Sequence, residues 1–247
     1  IGEERGKTTA NKIMQSLRAV YNFAMQLDDN LPKNPVSALS ATKAWYGEKR
    51  RRNVIKMHEL KLWLDTVALL DNSTIRDYLR LLLFTGMRRH EAMSLEWKNI
   101  DFTGKTILVP KTKNGNPLEL PMSQHIFELL QERKKRCGKS PYVFPSKTSK
   151  TGYLTEPRKS MKWITDECGV EFMLHDLRRT FITIAESLDI PAYSIKALAN
   201  HTTGGDITAG YIVMTVDRLR EPMQKITNFI LSTTTPKIEK VKLKACG

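Results

Sequence analysis

Two rhythms alternate along the chain. Apolar residues recur at intervals of three and four through 8–28, where Ile13, Leu17, Tyr21, Ala24 and Leu27 form one stripe. Basic residues such as Lys12 and Arg18 lie off that stripe, so the segment is expected to be an amphipathic helix. Pro32 and Pro35 end it, because neither can continue a helix, and a short helical piece is expected at 36–41. The same period returns at 58–70 and 74–86. Asn72 or Ser73 caps the second of these and Gly86 stops it. A third helical segment begins at Arg88-Arg89-His90. Between 99 and 122 the rhythm shortens to alternation broken by turn residues, which predicts three short antiparallel strands with turns at Gly104 and Asn114-Gly115. Helices are expected again at 123–135, 157–168, 176–188, 191–199 and 216–231. The fold class that follows is mainly α with a small antiparallel β-sheet, an α+β protein.

Breaks in this pattern divide the chain. A small helical unit at 1–48 precedes a basic linker at 49–56, where Lys49, Arg50, Arg51 and Arg52 are consecutive cations. A larger domain covers 57–232, and 233–247 is a polar, basic tail with too little apolar content to fold alone. The cation run suits a phosphate clamp and a solvated charge cluster equally. Ile1 stands where an initiator Met would, so a fragment or a processed chain lacking an upstream domain is expected.

Charge narrows the function. Forty Lys and Arg against 26 acidic residues give a net charge of +14 over 247 residues, which favours a polyanionic partner, nucleic acid first. Cys137, Cys168 and Cys246 are too few and too scattered for a disulfide framework or a zinc site. A reduced, cytoplasmic setting fits them. No apolar run approaches a membrane span.

Six residues could together attack a phosphodiester, a reaction that requires neutralised phosphate oxygens, an activated nucleophile and a protonated leaving group. Arg88 follows a helix stop and is placed at the start of the next helix, where free backbone N–H groups also favour an anion; Arg89 beside it leaves open which of the two faces inward. His175 and Arg178 share a helix face by their i, i+3 spacing, so one phosphate could meet both. Asp176 can cap the first turn of that helix. His201 follows the apolar segment 191–200. Tyr211 sits among Gly204, Gly205 and Gly210, which allow the backbone to move. Lys113 lies in the hairpin turn, where an amine could protonate a leaving oxygen, and Lys111 is its rival two residues away. Each alone has an ordinary reading as a surface cation, a cap or a packed phenol.

In order and context together these segments resemble the tyrosine recombinases, specifically the phage-type integrases, over nearly the whole chain. TGMRRHEAMSLEWKNIDF resembles the family's first arginine box, with Arg88 as its arginine and Glu91 as acidic support. ILVPKTKNGNPLELPM resembles the lysine-bearing hairpin, with Lys113 as the lysine. HDLRRTF resembles the second box, carrying His175 and Arg178, and ALANH supplies His201. The resemblance implies a catalytic domain at 57–232 preceded by a partial core-binding domain. It also implies cleavage through a 3′-phosphotyrosine on Tyr211, with neither metal nor ATP nor another cofactor. Arg88 and Arg178 would hold the phosphate, and Arg50, Arg51, Arg52 and Lys111 would contact the DNA backbone. Implied partners are double-stranded attachment sites, three further copies in a homotetramer at synapsis (with a monomer open in free solution) and accessory DNA-bending proteins, near the nucleoid of a bacterial or phage-host cell. A mobile element would be integrated or excised. Two departures stand out: Ala199-Asn200-His201 replaces the usual Leu-Gly-His, and the interval to Tyr211 is one residue longer than in many relatives. A mobile tyrosine segment, poised only with DNA and a neighbouring subunit, is the expectation. A type IB topoisomerase and a non-catalytic DNA-binding regulator are the rival readings.

Overall fold

In the computed structural model, which describes residues 2–47, 51–112, 114–201, 212 and 214–234, the chain divides into two compact units, 1–51 and 52–247. The first unit is built on α2 (Lys7–Leu27), preceded by a single turn, α1 (Gly2–Arg5), and followed by α3 (Ser37–Ala41). The Asn34 amide holds the two later helices together, donating to the Arg18 carbonyl (3.1 Å) and the Asn22 side chain (2.7 Å). The apolar period correctly gives the helix, but its stripe is not a core among the described residues of this unit. Ile13, Leu17 and Leu27 are exposed, Leu27 at 75%, and only Ala10 and Asn11 of α2 are buried.

The second unit runs α4 (Met57–Ala68), α5 (Ser73–Thr85), α6 (Arg89–Met93), β1 (Ile100–Asp101), β2 (Thr106–Val109), β3 (Leu118–Pro121), α7 (Gln124–Arg136), α8 (Arg158–Cys168), α9 (Leu174–Ser187), α10 (Ala192–Leu198) and α11 (Val216–Thr234). The three strands form one antiparallel sheet in the order β1-β2-β3, with Ile107 opposite Leu120 in its centre. The sheet and the mainly helical architecture agree with the fold class read from the sequence.

α5 is the structural axis. Its run Leu81-Leu82-Leu83-Phe84 is buried on every side, as a helix that is apolar all round must be. Asn72 caps it by accepting from the Thr74 and Ile75 N–H groups (3.0 and 3.2 Å). Gly86 ends it in the left-handed conformation at φ 64°. A Cβ there would lie 2.5 Å from the Phe181 ring, so glycine also lets α9 pack against the end of α5.

Two segments differ from expectation. The helix after Arg88 lasts only five residues before turning at Ser94, and a 3-10 turn at Trp97–Asn99 leads into the sheet. α9 begins at Leu174 rather than 176, because Asp176 caps it from inside: its carboxylate reaches back to the Met173 N–H (2.9 Å). No helix among the described residues is long and apolar enough to cross a membrane.

Candidate active site

Asp176 fixes the first turn of α9 and with it two functional side chains. It accepts from Met173 N on one oxygen and from Arg179 Nη1 on the other (2.7 Å). That turn leaves His175 exposed, while Arg178, one turn on, is buried with 3% of its surface accessible. Arg178 donates through Nη1 to the Gly86 carbonyl (2.7 Å) and through Nη2 to the Ala199 carbonyl. Both carbonyls cap helix C-termini, where oxygens lack intrahelical partners and the helix dipole is negative.

Arg88 comes from the other side. It is the N-cap of α6, and Glu91 grips it twice: Oε2 accepts from the Arg88 N–H and Oε1 from Nη1, each at 3.0 Å. This corrects the expectation of a free N–H for an anion at this helix start, since a buried carboxylate already occupies it. Nη2 of Arg88 donates to the Asn200 carbonyl at 2.8 Å. Arg89 instead turns to the rim and pairs with Glu156 (3.4 Å), so Arg88 is the inward member of the pair.

The turn after α10 sets His201. Asn200 is left-handed at φ 45°, the His201 N–H bonds to the Lys196 carbonyl (2.9 Å) and the Asn200 N–H to that of Ala197 (3.0 Å). These two bonds form a Schellman motif, which needs one left-handed residue. Glycine fills that place most readily, and asparagine is among the few other residues that tolerate it. The Asn200 departure therefore leaves the backbone path to His201 intact.

Arg88, Glu91, His175 and Arg178 line one cavity of about 470 Å³, together with Met87, Glu156 and Met173. His201 is exposed and lines a second cavity of about 570 Å³ with Lys196, Asn200 and Met214, close enough to Arg178, Arg88 and His175 to feel their charges. Burial, and then the charge of Arg88, bring the Arg178 pKa down to about 10, so it stays protonated at neutral pH in a site already rich in positive charge. His175 keeps an edge in solvent, yet the surrounding protein, then Arg179 and Arg178, hold its pKa below the ordinary histidine value. His201 is lowered likewise, by its surroundings first and then by Arg178 and Arg88. Two guanidiniums whose charges act on each other, a carboxylate paired with one of them and two histidines with lowered pKa form an arrangement that can receive a tetrahedral anion.

Lys111 is exposed and lines a separate cavity of about 320 Å³ with Glu96, Tyr142 and Tyr153, while Glu91 touches both. Arg51 and Arg52 are exposed. Lys113, Arg50, Tyr211 and Gly204, Gly205 and Gly210 lie outside the described residues. Among the described residues no cluster of His, Cys, Asp and Glu is placed to hold a metal ion. Sequence reasoning missed Asn114, whose side-chain amide donates to the Asn200 carbonyl at 2.8 Å. It also missed Glu156 and Met173 at the cavity wall. The Asn-Gly turn was the visible signal for the first; for the others no periodicity gives a signal.

A model of the phage integrase family matches residues 53–214. Among curated proteins, the chain is 30% identical over 183 residues to prophage integrase IntF of Escherichia coli (strain K12), covering 72% of this chain and 39% of that protein. It is 25% identical over 222 residues to tyrosine recombinase XerA of Pyrococcus horikoshii, covering 87% and 72%. The chain spans between 39% and 59% of the length of the first curated relatives it matches. Among solved structures, the Tn1549 transposon integrase in complex with circular intermediate DNA superposes with a TM-score of 0.67 at 20% identity, over 90% of this chain and 81% of that one. A lambda integrase tetramer bound to a Holliday junction gives 0.63 at 19% identity, over 83% and 61%.

Proposed function

This chain belongs to the phage integrase family, and we propose that it is the catalytic part of a site-specific DNA recombinase that cuts and rejoins strands through a 3′-phosphotyrosine. The observation that carries this reading is the pair Arg88 and Arg178. They come from segments far apart in sequence, sit on one cavity with His175, and are each bonded to a helix-end carbonyl that fixes the guanidinium, with Glu91 as an added ion-pair partner of Arg88.

In the proposed reaction the two guanidiniums hold the non-bridging oxygens of the scissile phosphate and stabilise the charge that grows on them in the transition state. The Tyr211 oxygen attacks phosphorus, the bond from phosphorus to O5′ breaks, and the phenolic proton passes to His175. A neutral imidazole is required for that step, and the lowered pKa of His175 favours it. Lys113 protonates the departing O5′, and His201 donates to a phosphate oxygen. Attack by the 5′-hydroxyl of a partner strand reverses these steps and restores Tyr211. One phosphodiester-level bond replaces another, so the scheme calls for neither ATP nor metal.

Within this reading residues 57–232 are the catalytic domain, 1–48 the later helices of a DNA-clamping core-binding domain, 49–56 the basic link and 233–247 a tail. Arg50, Arg51, Arg52 and Lys111 contact the DNA backbone, and four copies assemble on paired attachment sites to move a phage or other mobile element. Incubation of the protein with nicked attachment-site DNA, followed by denaturing electrophoresis and mapping of the junction, tests the scheme. A covalent adduct at Tyr211 that Tyr211→Phe abolishes is expected. An adduct that persists in Tyr211→Phe overturns the nucleophile assignment, and relaxation of plasmid lacking any site would favour a topoisomerase.

A further inference from the structure

The β2–β3 connection is eight residues long (110–117), and four register pairs hold its strands. A ladder that short does not fix the tip of so long a loop. Inside the loop, the Gly115 N–H bonds to the Thr112 carbonyl (3.1 Å), and Thr112 Oγ1 donates to the Asn116 carbonyl (2.6 Å). These bonds shape the turn but tie it to nothing else. Asn114 supplies an external tie. Asparagine in a turn ordinarily bonds to its own backbone two residues on. Here its Nδ2 reaches Asn200, 86 positions away, and donates to that carbonyl at 2.8 Å.

The carbonyl it meets is not an arbitrary one. The same oxygen accepts Arg88 Nη2 at 2.8 Å, and the preceding carbonyl, Ala199, accepts Arg178. A carbonyl oxygen has two lone pairs, and this one gives one to the arginine floor and one to the hairpin tip. We propose that Asn114 is a positioning residue, which locks the tip of the lysine-bearing hairpin in register with Arg88 so that its amine meets the leaving oxygen of the phosphate those arginines hold. The proposal rests on the recombinase reading above. It applies whether Lys113, the residue before Asn114, or Lys111 supplies the proton. Asn114 itself touches no reacting atom. Its loss leaves the Arg88 bond to Asn200 in place, so the phosphate receptor survives while the acid loses its register.

The test separates proton donation from everything else. The full chain and Asn114→Ala are given the same nicked attachment-site duplex in two forms, one with the ordinary phosphodiester and one with sulfur in place of the bridging 5′ oxygen at the cleavage point. A thiolate leaves without being protonated, so only the first form needs the acid. General acid catalysis contributes on the order of 10²- to 10⁴-fold. Asn114→Ala is therefore expected to slow adduct formation on the ordinary duplex by about tenfold or more and to leave the sulfur form within about twofold of the parent. Asn114→Asp, similar in shape but without the donor, should behave as Asn114→Ala. An equal loss on both duplexes would make Asn114 a general scaffold residue and overturn the proposal, as would no loss on either. If the parent protein forms no adduct on either duplex, the recombinase reading falls first, an outcome distinct from the other two.

Discussion

Two buried arginines bond to opposite ends of α5, and their surroundings differ in kind. Arg133 is 4% exposed and fully partnered: Nε donates to the Val143 carbonyl (2.6 Å), Nη1 to Asp77 (3.1 Å) and Nη2 to Thr74 (2.9 Å), and its plane lies over the Phe144 ring. Arg178 is as deeply buried, yet its partners are two neutral carbonyls and its nearest charged neighbours include another arginine. Burying a charge is costly unless a counter-charge meets it. Arg133 meets its own inside the fold. Arg178 has no hydrogen-bonded counter-charge among the described residues, only the field of nearby Glu91, and on the proposed reading it meets one from outside.

Replacing each arginine gives the widest separation. Arg178→Ala should reduce adduct formation by about 10²- to 10³-fold, the scale for one lost donor to a transition-state oxyanion. Arg133→Met should cost about 3 kcal/mol of stability by stripping Asp77 of its main partner, with adduct yield per folded molecule unchanged. Urea unfolding alongside the covalent-adduct assay measures both, and a catalytic loss in Arg133→Met at full folding would erase the distinction. Gly86→Ala strikes the Arg178 end of α5. Its left-handed φ and the Phe181 ring at 2.5 Å from the new Cβ predict a loss of roughly 2 kcal/mol or more, and with it displacement of the carbonyl that holds Arg178. A variant with unchanged melting and full activity would contradict this.

How much of this was legible in the sequence depends on the range of the interaction. α5 was visible from end to end, because Asn72, the apolar run and Gly86 are local signals. Arg88, His175 and Arg178 were legible through their segments' order, and the structure brings them to one cavity. The five-residue length of α6 was not, since no glycine or proline marks its end at Ser94, and neither was the grip of Glu91 on Arg88, made by a side chain that could equally have faced solvent. The stripe of α2 gave the helix but not what covers it: periodicity reports an apolar face, and Leu27 shows that this face is not buried here. Asn114 was hidden for the same reason in reverse, because a turn asparagine looks local and its partner lies 86 residues away.

Acid should act on α7, the helix that carries Arg133. His125 Nε2 accepts from Arg80 Nη2 at 3.1 Å, and the ring packs on Phe84. Burial, then the charge of Arg80, bring its pKa down to about 4, against 6.5 in the unfolded chain. Between those values the unfolded chain binds a proton that the native one refuses, so stability is fully present above about pH 6.5 and declines as pH falls towards 4. His125→Phe should flatten that part of a stability-against-pH curve without altering the salt dependence of DNA binding. The same slope in parent and variant would place the acid sensitivity elsewhere.

The smallest effect is expected at Asn200, and it tests whether the site's backbone or its side chains define the arrangement. Everything Asn200 is seen to do for the site it does with its backbone: the left-handed φ that closes the Schellman motif and the carbonyl shared by Arg88 and Asn114. Its side-chain Nδ2 is buried with no hydrogen-bond partner among the described residues, an unfavourable feature in its own right. Asn200→Gly keeps the carbonyl, adopts the left-handed φ without strain and removes the unpaired amide, while adding about 0.5–1 kcal/mol of backbone entropy cost. These terms oppose one another, so stability should shift by less than about 1 kcal/mol and adduct formation should stay within about threefold of the parent. Asn200→Val, with a branched Cβ forced into the same φ, should lose about 1–3 kcal/mol and adduct formation together. If glycine is as damaging as valine, the asparagine side chain itself takes part, and the two buried arginines then differ in one more respect: the Arg178 side would carry a donor reserved for what binds there.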